Sequence, residues 1–270
     1  MRRRTERAVL AMLLALAPLI ASADALRVCA DPNNLPFSNR AGEGFENKIA
    51  QLVAHDLGET VEYTFAAQHK SFIQRTLNAR QCDVMIGVPV GLDEVDATRA
   101  YYASTYVFVS RSADDLRLSS LTDPRLRVLR IGVHLIGADD TPPELALGEQ
   151  GIVNNVSGFM IYGDYSRPNP PERLLEALAQ RRIDVAAVWG PLGGYFAQRS
   201  PVPLTVTAMT HTARFAPLSF RYAIAMGVRK GDRARREQLE RVLAREQPRI
   251  SALLQSYGVP LVDLKGGADE

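Results

Sequence analysis

Two rhythms of apolar positions alternate along this 270-residue chain. A strand-like run, Leu26-Arg27-Val28-Cys29-Ala30, is closed by the turn chemistry of Asp31-Pro32-Asn33-Asn34-Leu35-Pro36. A helical spacing follows over Phe45–Leu57, with Ile49, Leu52, Val53 and Leu57 on one face and Gly58 as its stop. Residues 61–65 alternate as a strand, 72–79 are helical, and 82–88 form a buried strand run. This succession predicts a parallel α/β arrangement. An aromatic and β-branched strand over 101–110 then meets a polar break at 112–115.

A second α/β series begins with a strand at 129–133. Thr141-Pro142-Pro143-Glu144 has the form of a helix start, with Thr as N-cap, and Asn169-Pro170-Pro171-Glu172 starts another helix to about Arg181. Strands are expected at 183–189 and 222–228, then a helical region over 235–257 broken or kinked at Pro248. The pattern predicts two lobes, each a mostly parallel sheet flanked by helices. The first comprises 24–110 and 222–270, the second 111–221, with a cleft between.

The N-terminus changes the apparent charge. Arg2, Arg3, Arg4 and Arg7 precede an apolar run over 8–21, and Ala21-Ser22-Ala23 has the small-x-small form of a cleavage site. Residues 1–23 are expected to be a signal peptide, with an uncleaved anchor as the alternative, although a membrane span needs ~20 apolar residues. Removing four arginines and Glu6 from 32 basic and 30 acidic residues leaves 28 and 29, a net of −1. Nucleic-acid binding thereby loses its electrostatic support, and no later segment is apolar enough to span a membrane. Export to the periplasm is expected. The two cysteines, Cys29 and Cys82, can pair in an oxidising compartment or remain buried thiols. Their strands are expected to be neighbours.

Ligands of open α/β sheets bind outside the carboxyl ends of strands. That rule selects segments 31–37, 88–94, 134–140, 162–165 and 189–195. The cleft or partner-binding candidates in and beside them are Asp31, Asn33, Asn34, Phe37, Val88, Pro89, His134, Tyr162, Tyr165, Arg167, Trp189 and Tyr195. Asp31 is either a cleft contact or a turn cap. His134 either meets a ligand or partner or belongs to a surface loop. Trp189 either lines the cleft or wedges into the core. The aromatic, proline-rich loop carrying Tyr162, Tyr165 and Arg167 suits a protein interface or a simple turn into a helix. Glu46 is expected to complement a helix dipole.

The opening Leu26-Arg27-Val28, Asp31-Pro32-Asn33-Asn34-Leu35-Pro36-Phe37 and Gly44-Phe45-Glu46, with Cys82-Asp83-Val84-Met85-Ile86-Gly87 and Tyr101-Tyr102, resemble extracellular solute-binding proteins of the polar amino-acid type. This implies the two-lobed type II periplasmic binding protein fold. Longer strings resemble, more narrowly, the XoxJ/MxaJ family, periplasmic binding-protein-like partners of quinoprotein (PQQ-dependent) methanol dehydrogenases. They are Asn33-Asn34-Leu35-Pro36-Phe37-Ser38-Asn39, Leu135-Ile136-Gly137-Ala138-Asp139-Asp140-Thr141-Pro142-Pro143, Tyr162-Gly163-Asp164-Tyr165-Ser166-Arg167-Pro168-Asn169-Pro170-Pro171 and Val188-Trp189-Gly190-Pro191-Leu192. The lanthanide-type branch, XoxJ, resembles the chain more than the calcium-type branch does.

That resemblance implies an accessory protein that binds and helps mature or activate the dehydrogenase, with the dehydrogenase, and also its cytochrome c, as candidate partners. The alternative is the solute-binding component of an ABC transporter. Relative to the amino-acid binders, Val95 stands where a carboxylate-clamping arginine is expected, Trp189 where an ammonium-binding acid is, and Asn34 where an aromatic is. An apolar cleft without micromolar amino-acid binding follows. The four histidines, His55, His69, His134 and His211, lack metal-ligand spacing, and no nucleophile or phosphate-loop motif occurs. No catalytic residue, metal or cofactor is expected, and the chain is read as a non-enzyme rather than a dehydratase or lyase on this fold.

Overall fold

The computed structural model describes residues 24–136, 140–161, 165–166 and 168–264. The proposed signal segment, Tyr162 and Arg167 lie outside the described residues.

The first half of the chain supplies strands β1 (Ala25–Ala30), β2 (Asn33–Asn34), β3 (Ser38–Asn39), β4 (Thr60–Phe65), β5 (Val84–Pro89), β6 (Asp96–Ala97) and β7 (Tyr102–Arg111). The second supplies β8 (Ile131–Leu135), β9 (Val156–Met160), β10 (Val185–Trp189), β11 (Leu204–Ala208) and β12 (Arg221–Val228). The helices are α1 (Phe45–Leu57), α2 (Phe72–Arg75), α3 (Pro142–Glu149), α4 (Arg173–Ala179), α5 (Gly190–Arg199) and α6 (Arg233–Ser256).

The main sheet runs β4-β1-β5-β12-β7-β10-β8-β9, with β6 on β12 and β11 on β7. β4, β1 and β5 are mutually parallel, as are β10, β8 and β9. Antiparallel β12 and β7 join the two parallel sets. β7 changes partners along its length: Tyr102–Thr105 pair with β12, whereas Tyr106–Arg111 pair with β10 and β11. The exchange falls inside the segment assigned from sequence to the first lobe. The expected mixed α/β fold with mostly parallel sets is borne out.

The halves have separate cores. Leu26, Phe45, Ile49, Val53, Met226, Leu239 and Leu254 pack α1 and α6 on the first sheet half. Leu126, Ile131, Leu147 and Val185 form one core of the second half, and Val107, Leu174, Leu178 and Phe196 the other. α1 ends where expected, because Gly58 takes φ 70°, a left-handed conformation that costs glycine nothing.

The two parallel sets are anchored at corresponding places. Asp83, just before β5, receives Arg27 at 2.7 and 2.8 Å and Arg229 at 3.0 Å. Asp184, just before β10, receives Arg130 at 2.6 and 2.9 Å, and the Arg130 hydrogen bond leads in lowering its pKa to about 2. Buried Arg111 donates to the Leu178 and Ile183 carbonyls at 2.6 and 2.7 Å and pairs with Asp114 at 2.6 Å.

Cys29 and Cys82 form a disulfide with Cα atoms 5.5 Å apart. β1 and β5 are hydrogen-bonded neighbours, but Cys82 lies two residues ahead of β5 rather than in it. The helix expected over 72–79 shortens to α2, and Pro248 sits inside an unbroken α6 rather than ending it. Thr141 is the N-cap of α3, yet its hydroxyl makes no cap hydrogen bond.

Candidate functional site

A cavity of about 390 Å³ lies where the carboxyl ends of β1, β5, β8 and β10 converge. Of the candidates, Asn34, Phe37, Pro89, His134 and Trp189 line it. β7 adds Tyr102 and Tyr106, β12 adds Tyr222 and Ile224, and α3 begins at its wall with Thr141 and Pro142. Its surface is mostly apolar, and among the described residues neither lysine nor arginine lines it.

The tight chain between β1 and α1 delivers Asn34 and Phe37. Asp31 organises it: one carboxylate oxygen accepts from the Asn33 amide at 2.8 Å, closing a turn. The other accepts from the Gln68 amide at 2.8 Å and the Tyr165 hydroxyl at 2.7 Å. Asp31 is therefore both a turn cap and a tie to the second half of the chain, but it does not line the cavity. Asn33 strengthens the tie, accepting from the Asn169 amide at 2.9 Å. Asn33 and Tyr165 border a different depression with Arg40 and Phe65.

Asn34 is 2 % exposed. Its amide nitrogen donates to Gln68 at 3.2 Å, and its oxygen has no partner. His134 is a buried strand residue, 2 % exposed, which corrects the surface-loop alternative. Its Nε2 lies 3.0 Å from the Pro171 carbonyl, and its Nδ1 is unpartnered. Because a carbonyl only accepts, Nε2 carries the proton in the neutral ring. Burial pulls the His134 pKa down to about 4.

Trp189 ends β10 and does both things that the sequence allowed. It packs against three core clusters and walls the cavity, edge-on to Tyr106 at 5.4 Å and Tyr222 at 5.6 Å. Besides Asp31, Asn33 and Tyr165, two further candidates lie outside the cavity. Val88 alternates away from the cavity into the Cys29–Cys82 cluster, since neighbouring strand residues face opposite ways. Tyr195 faces α6, stacked on Tyr257 at 5.6 Å beneath the Arg199 guanidinium. Val95 is buried in the Cys29–Cys82 cluster, and Arg99 bonds the Glu240 carbonyl outside the cavity. His55, His69 and His211 are exposed, and no group of three or more His, Cys, Asp or Glu among the described residues could hold a metal.

The residue that sequence reasoning undervalued is Glu46. It occupies the first turn of α1, as expected, but its carboxyl lies on the cavity wall against Gly87. A Cβ at position 87 would overlap that carboxyl, so glycine makes its place. Burial pushes the Glu46 pKa up to about 8. Tyr102 and Tyr106 could have been found by the period of two along β7, and Tyr222 and Ile224 by the same period along β12. No sequence signal marked Glu46 apart from other first-turn acids.

Comparison with known proteins places this geometry in context. The bacterial extracellular solute-binding proteins, family 3, match residues 26–258. The chain is 30% identical to Protein MoxJ of Methylorubrum extorquens strain AM1, with 97% of each covered. It is 35% identical to the crystal structure of periplasmic binding protein XoxJ from Methylobacterium extorquens AM1, at a TM-score of 0.73, covering 88% of this chain and 99% of that one. The crystal structure of MxaJ from Methlophaga aminisulfidivorans MPT superposes at a TM-score of 0.78 with 24% identity, over 88% of this chain and all of that one, and supports the fold. The resemblance carried by the Asn33–Asn39 and Trp189 strings is borne out, as is the periplasmic binding protein fold.

Proposed function

We propose that this chain, which belongs to the bacterial extracellular solute-binding proteins of family 3, is a periplasmic accessory protein of methanol oxidation. It binds a PQQ-dependent methanol dehydrogenase and helps it mature or become active, with the enzyme's cytochrome c as a further candidate partner. The observation that carries this is likeness to MoxJ along 97% of both chains, supported by the 35% identity to XoxJ. The dehydrogenase carries the chemistry and its PQQ, while this chain works by binding and is not itself an enzyme. The Tyr165 loop, tied to Asp31 and Asn33 beside an open depression, is the proposed contact surface.

The absence of lysine and arginine among the described residues of the cavity lining also supports this choice over delivery of amino acids, whose carboxylate would find no cationic partner among them. A solute-binding role in transport is the second reading, favoured by the cavity itself, whose volume lies within the ~300–1,000 Å³ of small-ligand sites. Affinity capture of the tagged chain from the periplasm of methanol-grown cells separates the two. Co-elution of the dehydrogenase is expected. Capture without the dehydrogenase, together with genetic dependence of a solute permease on this chain, would replace the first reading with the second.

A further inference from the structure

We propose that the cavity is a binding site for a small organic cation with N–H donors, of the primary ammonium class, seated among aromatic rings with its head group turned toward Glu46. This goes beyond the accessory role and stands whether or not the chain meets a dehydrogenase.

Charge is the first argument. Among the described residues the lining holds two acids, Glu46 and Asp140, and no lysine or arginine. Its one histidine, His134, is buried and neutral at ordinary pH. A carboxylate or phosphate ligand would lose its hydration and find no cation among the described lining residues, whereas an ammonium ion would favour release of the Glu46 proton and then meet opposite charge.

Hydrogen-bond polarity is the second and independent argument. Asn34 gives one amide N–H to Gln68 and leaves its carbonyl oxygen bare. His134 spends its N–H on Pro171 and leaves Nδ1 as a lone-pair acceptor. The Thr141 hydroxyl is unpartnered. No described residue donates a side-chain or backbone hydrogen bond to the Glu46 carboxyl, and burial alone accounts for its raised pKa. Asn34, His134 and Thr141 are each 2 % exposed. Buried polar groups of native proteins are nearly always satisfied. Here the bare atoms of the lining residues are chiefly acceptors, each nearly covered as the cavity stands, so a ligand that draws on them must donate.

The third argument is the wall. Trp189 stands edge-on between Tyr106 and Tyr222, with Tyr102 and Phe37 also lining the cavity. Such rings attract a cation through their quadrupoles and cover the apolar body of an alkyl- or arylammonium ion. The vacancy of a side chain at Gly87 lets the carboxyl rest at the wall without displacing the strand.

Isothermal titration of the chain from residue 24 onward tests the proposal, using butylammonium and benzylammonium, the neutral butanol and benzyl alcohol, and the anions butyrate and benzoate. The ammonium ions are expected to bind at least about tenfold more tightly than the alcohols, the scale of one charge-assisted contact, and the anions not at all. Glu46→Gln should remove that preference while leaving alcohol binding unchanged. Gly87→Ala keeps the charge but crowds the carboxyl, and should weaken ammonium binding selectively. Should either variant fail to fold, the contrast between ammonium ion and alcohol on the unaltered protein decides. Equal binding of the two, a preference for the anions, or no ammonium binding at concentrations of about 10 mM, the weak end of specific recognition, would overturn the proposal.

Discussion

Glu46→Gln should flatten the alkaline side of the stability profile. In the folded chain the Glu46 carboxyl has its pKa near 8 in place of 4.5, because ionising it at the cavity wall forfeits hydration without a compensating donor. Between pH 4.5 and 8 the folded state therefore holds a proton that the unfolded state has released. Stability falls as pH rises through that window and levels off above it. At about 1.4 kcal/mol per pH unit, the full loss is at most about 4–5 kcal/mol, a large share of the 5–15 kcal/mol by which domains are stable.

His134 acts in the opposite sense. Its folded pKa of about 4, against 6.5, means that stability is lost as pH falls from 6.5 to 4. The two slopes offset each other between pH 4.5 and 6.5, so the unaltered protein should be most stable there. Urea unfolding followed by fluorescence of Trp189, the chain's single tryptophan, measures both proteins from pH 4 to 9. Comparing them at each pH cancels His134. The gain of Glu46→Gln over the unaltered chain should grow by several kcal/mol between pH 4.5 and 8.5. Parallel profiles would refute the half-buried, unpaired carboxyl.

Other residues give further tests. His134→Gln should remove the acid-side loss between pH 6.5 and 4, worth about 3 kcal/mol at most, in the same unfolding series. Replacing both Cys29 and Cys82 by serine should cost about 2–4 kcal/mol in urea, since the bridge spans a sequence separation of 53; two titratable thiols in the denatured, unreduced parent would contradict the pairing. Arg111→Met strips two carbonyls and Asp114 of a buried donor and should destabilise by about 3–5 kcal/mol, read from the shift in urea midpoint. Tyr165→Phe should speed amide exchange at Gln68, whose N–H shares the Asp31 carboxylate with the lost hydroxyl, while leaving the global midpoint within about 1–2 kcal/mol.

The alternation of strand and helix was legible because apolar spacing is a local property, and the turn residues Asp31 to Pro36 and Gly58 mark their breaks without ambiguity. The strand-end rule led to Asn34, Phe37, Pro89, His134 and Trp189 for the same reason. Val88 and Tyr195 were misplaced because the rule selects a segment, whereas the facing of each side chain depends on strand parity and on which helix lies opposite. β9 and β11 went unseen: neither contains a fully buried residue, so neither shows a strong apolar signature. Pro248 was read as a break or a kink, and α6 continues past it, which excludes the break. Glu46 could not be singled out, since its environment is made by Gly87 and Tyr102, residues distant in sequence and joined only by the sheet.

The accessory role is tested most directly by the dehydrogenase itself. Cells lacking this chain should accumulate the dehydrogenase polypeptide with little methanol-oxidising activity, and the purified chain should bind that polypeptide and restore activity when added to the periplasmic extract. Full dehydrogenase activity without the chain, and no detectable complex between the two purified proteins, would contradict the account.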